Sequence, residues 1–137
     1  MKLVRFGPPG QERPGLWVED TTQPRILDIR AMAFDMEDIN ASFFARGGLD
    51  RVKNLIQEPN LKWIHPQDVR LGPPIARPSQ LICLGKNYAD HAQEFDAEIP
   101  AAPVLFSKSP ASVIGPRDPI ILPGESAEID AEAELAI

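Results

Sequence analysis

Fifteen prolines and nine glycines run through these 137 residues, and they restrict the fold more than any other feature. Proline locks φ and lacks a backbone donor, so it is confined to turns, strand starts and sheet edges. Glycine supplies turn conformations that other residues resist. Such density favours short strands and many turns over a helix bundle. Hydrophobic residues make up 43% of the chain, enough for a packed core and too much for a disordered one.

The first half reads as a small β-rich layer. Met1 to Phe6 alternates, Gly7-Pro8-Pro9-Gly10 is a turn, and further strands are expected over 15–20 and 25–30. A helix is expected from Met36 to about Ala45, with Asp35 as its N-cap, and a second from Leu49 to Gln57, ended before Pro59. Val69-Arg70-Leu71 suggests a short strand. Ile75 to Gln80, with two prolines, reads as a linker. The expected organisation is a small N-terminal domain (1–74), a linker (75–80) and a second, incomplete domain (81–137). Trp17 and Trp63 are assigned to packing, and His65 to a structural role.

The second half carries the chemistry. Leu81 to Leu84 is an apolar run, readable as a buried strand ended by Gly85. Its Cys83 is expected to be a small core residue rather than a nucleophile. Asn87 can cap a short helix from Tyr88 to Phe95, with Asp90 reaching back to it. His91 and Glu94 then stand at i and i+3 on one face. A carboxylate beside an imidazole can orient it to take a proton from water; equally, the pair can be a weak contact on a surface helix. Val104, Phe106 and Lys108 share one face of an expected strand. Its lysine either snorkels to the rim or faces an anion. Ile120-Ile121-Leu122 is another apolar run.

Glu128, Asp130, Glu132 and Glu134 fall on one face if the last stretch is extended. Neighbours in that set are roughly 6.5–7 Å apart, so two can lean onto one hard cation. The same stretch is rich in helix formers, which favours a solvated acidic segment instead. Spacing alone leaves both readings open.

In this order, Gly85-Lys86-Asn87-Tyr88 with His91 and Glu94, Pro103 to Lys108, Ile120 to Pro123, and Asp130 to Leu135 resemble the fumarylacetoacetate hydrolase family. The resemblance covers about Leu81 to Ile137 and is nearest to bacterial members acting on small 2-oxo or 2,4-dioxo acids. It implies an α+β, mainly β fold: a small N-terminal β-rich domain followed by the first part of a mixed β-roll. It implies Mg2+ or Mn2+ held by Glu132 and Glu134. His91 and Glu94 would activate water, Lys108 would stand at the pocket as a catalytic group, and Asn87 and Tyr88 would line it. The implied reaction is hydrolytic cleavage of a carbon–carbon bond in an acylpyruvate- or diketo-sugar-acid-like substrate through a metal-bound enolate. Lyase, decarboxylase and isomerase chemistries of the same family are the alternatives, as is a non-catalytic fragment needing a second chain. The family's third ligand, an aspartate, falls beyond Ile137, so the chain is expected to be truncated and to hold magnesium poorly alone. Ala131 departs from the family, where many members carry Tyr or Trp.

Charge narrows the partners. The net charge is −6, which disfavours nucleic acid, because phosphate binding needs clustered Lys and Arg. No stretch has the apolar length of a membrane span. One cysteine excludes an internal disulfide and fits a reducing cytoplasm. A small oxo-acid substrate and, in the full-length protein, a homodimer are the partners the resemblance implies.

Overall fold

The structure is a computed structural model that describes residues 1–19, 23–90, 100–124 and 129–137. A four-stranded antiparallel sheet comes first, in the order β1 (Lys2–Phe6), β2 (Arg13–Glu19), β3 (Pro24–Asp28) and β4 (Trp63–Ile64). Leu3 faces Leu16, Leu16 faces Leu27, and Leu27 faces Trp63, so one sheet face carries a continuous apolar row. Against it pack α1 (Ile29–Met32), α2 (Ala41–Ala45) and α3 (Gly48–Leu55). Leu16, Leu27, Ile29, Met36, Ile39, Phe43 and Val52 form the buried cluster between these layers. Phe6 and Ile26 are buried on the opposite sheet face. They close around Gly15, where a β-carbon would stand 2.7 Å from Ile26 Cγ2.

Several local signals decide where these elements start. Pro14 lies inside β2 but one residue beyond its pairing with β3, a position where a missing donor is tolerated. Asp28 ends β3 and caps α1 by accepting from the Ala31 amide at 3.0 Å. The helix expected from Met36 to Ala45 is shorter than its sequence suggested. Asn40, not Asp35, is the cap, and its side chain accepts from the Phe43 amide at 3.0 Å. Asp35 instead pairs with Arg51. Residues 36–40 lie outside the helix, and Met36 and Ile39 among them are buried in the core. The strand expected at Val69 to Leu71 reduces to one bridge between Phe6 and Leu71. His65 is structural: its Nδ1 accepts from the Gln67 amide at the start of a short 3-10 turn, Pro66–Asp68.

A second sheet pairs β5 (Leu81–Gly85) with β6 (Val104–Lys108), antiparallel, with Leu81 opposite Lys108 and Gly85 opposite Val104. Both strands stand where the sequence placed them. The buried strand expected at Leu81 to Leu84 is not buried, since Ile82 is 62% exposed and β6 is exposed throughout. Ile120, Ile121 and Leu122 are exposed and lie outside any strand. Among the described residues the molecule is β-rich, with antiparallel sheets and short helices. No helix among them is long and apolar enough to cross a membrane.

An ion network joins the first sheet to the segment following β6. Arg5, 7% exposed, donates to Asp38 at 2.6 and 2.8 Å and pairs with Glu12 at 3.5 Å. Glu12 also accepts from Arg70 at 2.9 Å, and Arg70 forms a two-armed pair with Asp118. Asp118 accepts in turn from the Gly115 amide at 2.8 Å. Such fork-on-carboxylate pairs fix orientation as well as charge.

Candidate functional site

The site grows from the face of the second sheet that carries Cys83, Phe106 and Lys108. Alternation puts Leu81, Cys83 and Gly85 with Lys108, Phe106 and Val104 on one face, as cross-strand partners. Lys108 Nζ stands 5.7 Å from the centre of the Phe106 ring, close enough for a cation–π attraction. Gly85 ends β5, and Lys86 turns the chain with a φ of 52°. Asn87 and Tyr88 follow, and Ala89 and Asp90 are helical.

The acidic stretch lies beside this turn. The Leu135 amide donates to the Tyr88 hydroxyl at 3.2 Å, a link between residues far apart in sequence. Between them opens a cavity of about 590 Å³. Cys83, Lys86, Asn87, Tyr88, Asp90, Phe106 and Lys108 line one side, and Asp130 to Glu134 line the other. Asn87, Tyr88, Lys108, Glu132 and Glu134 thus meet at one hollow, although the last two are separated from the others by more than twenty positions of chain. Cys83 is half-buried on its wall rather than a core residue. His91 and Glu94 lie outside the described residues.

The expected strand is absent. Residues 129–137 adopt neither strand nor helix, and Asp130 accepts from the amide of its own neighbour Ala131 at 2.8 Å. A strand needs a ladder partner, and residues 129–137 pair with no described strand. The two glutamates still reach one cavity, because the Tyr88 contact holds the stretch in place of a ladder. Their carboxylates are hard oxygen donors of the type magnesium and manganese prefer. Among the described residues no three His, Cys, Asp or Glu side chains converge tightly enough to hold a metal. The donors therefore fit such a cation in kind and supply part of a set.

Lys86, Asp90 and Asp130 are wall residues that the sequence reading did not assign to the site. For Lys86 the signal was present: a lysine directly after the glycine that ends a strand sits on a turn, where side chains face a cleft. A larger cleft of about 1240 Å³ lies elsewhere, against Arg5, Glu12, Arg70 and Asp118. Those side chains are committed to one another, so its size does not mark it as a site of chemistry.

Comparisons with known proteins identify the family. Residues 80–137 match the family model described as fumarylacetoacetate (FAA) hydrolase C-terminal. The chain is 36% identical over 138 residues to the mitochondrial oxaloacetate tautomerase of Rattus norvegicus, covering all of this chain and 44% of the relative. A putative hydrolase of Burkholderia multivorans is 37% identical over 137 residues, covering all of this chain and 46% of that protein. The mitochondrial oxaloacetate tautomerase of Xenopus laevis is 33% identical, across 99% of this chain and 43% of its own length. The chain spans less than half the length of these relatives. Through the match over residues 80–137 and relatives that align along its whole length, the chain belongs to the fumarylacetoacetate hydrolase family.

Proposed function

We propose that this chain supplies part of the active site of a magnesium- or manganese-dependent enzyme for small 2-oxo acids. Its reaction is either hydrolytic cleavage of a 2,4-dioxo acid or interconversion of the keto and enol forms of an oxo acid. One observation carries the reading: Glu132 and Glu134 line the same cavity as Asn87, Tyr88 and Lys108. Glu132 and Glu134 would hold the cation. When bound, it supplies Lewis-acid polarisation of the substrate's 2-oxo group.

The other wall residues have separable tasks. Lys108 presents an ammonium to the negative charge that develops on the substrate when a proton or an acyl group leaves. The Phe106 ring lies beside it, its centre 5.7 Å from the ammonium. Tyr88 holds the acidic stretch by its hydroxyl, so it positions the glutamates. The His91–Glu94 pair takes a proton from water in the hydrolytic reading, on the strength of its spacing. Tautomerisation needs a proton carrier but no attacking water. Relatives named oxaloacetate tautomerase support it, and relatives named putative hydrolase support the first reading.

The intact gene product separates the two. Cleavage of acetylpyruvate and enol-to-keto conversion of oxaloacetate are measured with magnesium present. Glu134→Gln is expected to weaken magnesium binding by about tenfold or more and to abolish whichever reaction occurs. His91→Ala is expected to keep magnesium affinity and to lower turnover by about 10²–10⁴, the usual contribution of a general base. Unchanged magnesium affinity in both Glu132→Gln and Glu134→Gln would overturn the metal assignment.

A further inference from the structure

We propose that the Tyr88 hydroxyl is a catalytic hydrogen-bond donor, whose proton stabilises the substrate's 2-oxo oxygen as that oxygen becomes an enolate oxygen. The inference rests on the oxo-acid reading above and goes beyond it by giving Tyr88 a part in the reaction besides holding the acidic stretch.

The hydrogen bonding of this hydroxyl is the first observation. A phenol has one proton to donate and lone pairs that accept. The Leu135 amide donates to it at 3.2 Å, and an N–H cannot accept, so that bond leaves the phenolic proton unspent. Among the described residues the hydroxyl donates to no other group. Accepting from an amide also polarises the O–H and strengthens it as a donor. Placement is the second observation. The Leu135 nitrogen belongs to the peptide that joins it to Glu134, so the hydroxyl reaches across to the acidic side of the 590 Å³ cavity. That side is lined by Asp130, Ala131, Glu132, Ala133 and Glu134. Ionised carboxylates accept and do not donate, and alanine does neither, so none of these side chains can serve an oxygen that gains negative charge. Tyr88 brings a donor to that side from the opposite wall.

Both reactions of the oxo-acid reading contain the step this donor serves. Keto–enol interconversion removes a proton from, or returns it to, the carbon beside the 2-oxo group. Hydrolytic cleavage breaks the carbon–carbon bond at that same carbon, and the acyl group leaves as its carboxylic acid with the oxygen of the attacking water. In each case the electron pair of the broken bond moves toward the 2-oxo oxygen and gives an enolate. A donor aimed at that oxygen is worth more to the enolate than to the ketone, so it lowers the barrier rather than merely tightening binding. Tyr88 therefore holds the acidic stretch through its lone pair and acts on the substrate through its proton.

Three replacements of Tyr88 in the intact gene product separate donating from holding. Tyr88→Phe has neither the proton nor the oxygen. O-methyltyrosine keeps an oxygen that can accept from Leu135 and has no proton to donate. Para-aminophenylalanine keeps protons to donate, and its nitrogen accepts poorly. Magnesium affinity is measured by calorimetry, and turnover of acetylpyruvate and of enol oxaloacetate is measured at saturating magnesium. Tyr88→Phe and O-methyltyrosine are each expected to lower kcat by about 10²–10³, the usual loss for one donor to an oxyanion. O-methyltyrosine is expected to do so at wild-type magnesium affinity, and para-aminophenylalanine to hold kcat within about tenfold of wild type. Wild-type kcat with O-methyltyrosine overturns the assignment, and so does a para-aminophenylalanine variant as slow as Tyr88→Phe. Loss of magnesium affinity in step with kcat across the three overturns it too, because holding the stretch then accounts for the whole effect. In these outcomes the oxo-acid site stands and Tyr88 only positions it. If the wild type turns over neither substrate, the oxo-acid reading falls, and this proposal falls with it.

Discussion

At the scale of single residues, two glycines and one tyrosine do most to shape the molecule. Gly15 lets β2 pass between Phe6 and Ile26, both nearly inaccessible to solvent. A methyl there would meet Ile26 Cγ2 at 2.7 Å and the Phe6 ring at 3.0 Å. Gly15→Ala is therefore expected to cost about 1–3 kcal/mol, the usual penalty for overpacking, read as a lower urea midpoint at an unchanged slope. Gly115 is as confined: an added methyl would run into the Leu71 carbonyl and the Asp118 carboxylate. Tyr88 acts differently. Its hydroxyl accepts from Leu135 and brings the acidic stretch to the cavity, a role that no spacing in the sequence announces.

At the scale of elements, caps and ladders explain which expectations held. β1, β2, β3, β5 and β6 were legible because each is a short apolar or alternating run between breakers. The two-residue strand β4 was not, because Trp63-Ile64 is too short for a period and is defined by its partners Leu27 and Ile26. α2 was placed within its expected range but begins at a different cap. Asp35 and Asn40 are both capping residues by type, and tertiary packing chose between them. Residues 36–40 are irregular, and Met36 and Ile39 both enter the core. Asn40→Ala should then cost about 1 kcal/mol by thermal or urea unfolding. The acidic stretch failed as a strand for the complementary reason: a strand is a pairing, and composition cannot show whether a partner edge is present.

At the scale of the whole molecule, the Arg5–Glu12–Arg70–Asp118 network is the electrostatic joint between the first sheet and the segment after β6. Burial pushes the Glu12 carboxyl upward, but the Arg70 hydrogen bond, backbone donors and the Arg5 charge outweigh it and hold it below its ordinary value. The Arg70 hydrogen bonds, with help from the Gly115 amide, hold Asp118 low as well. The Arg70 guanidinium is correspondingly raised, first by Asp118 and then by Glu12. Depressed carboxyls bind fewer protons folded than unfolded. The stability they contribute is thus present above their ordinary values of 4.5 and 3.8 and is lost as pH falls through the lower folded values. Unfolding followed by tryptophan fluorescence should show stability dropping from about pH 5 downward. Arg70→Met should be less stable at neutral pH and flatter across that acidic window. A variant as steeply acid-labile as the wild type would show that other carboxyls set the dependence.

The sequence by itself determined that the chain is β-rich with short elements, because proline and glycine density and the two-residue alternation are local constraints that act on any fold. It also determined membership of the fumarylacetoacetate hydrolase family, since the motifs stand in order along residues 80–137. The tertiary structure alone decided that Asn87, Tyr88, Lys108, Glu132 and Glu134 share one hollow and that Lys86 joins them. It decided too that the Arg70 network ties the β6 segment to the first sheet. The reason is physical: each of these depends on a contact between residues distant in the chain, and its energy exists only once the intervening chain has folded and brought both partners together.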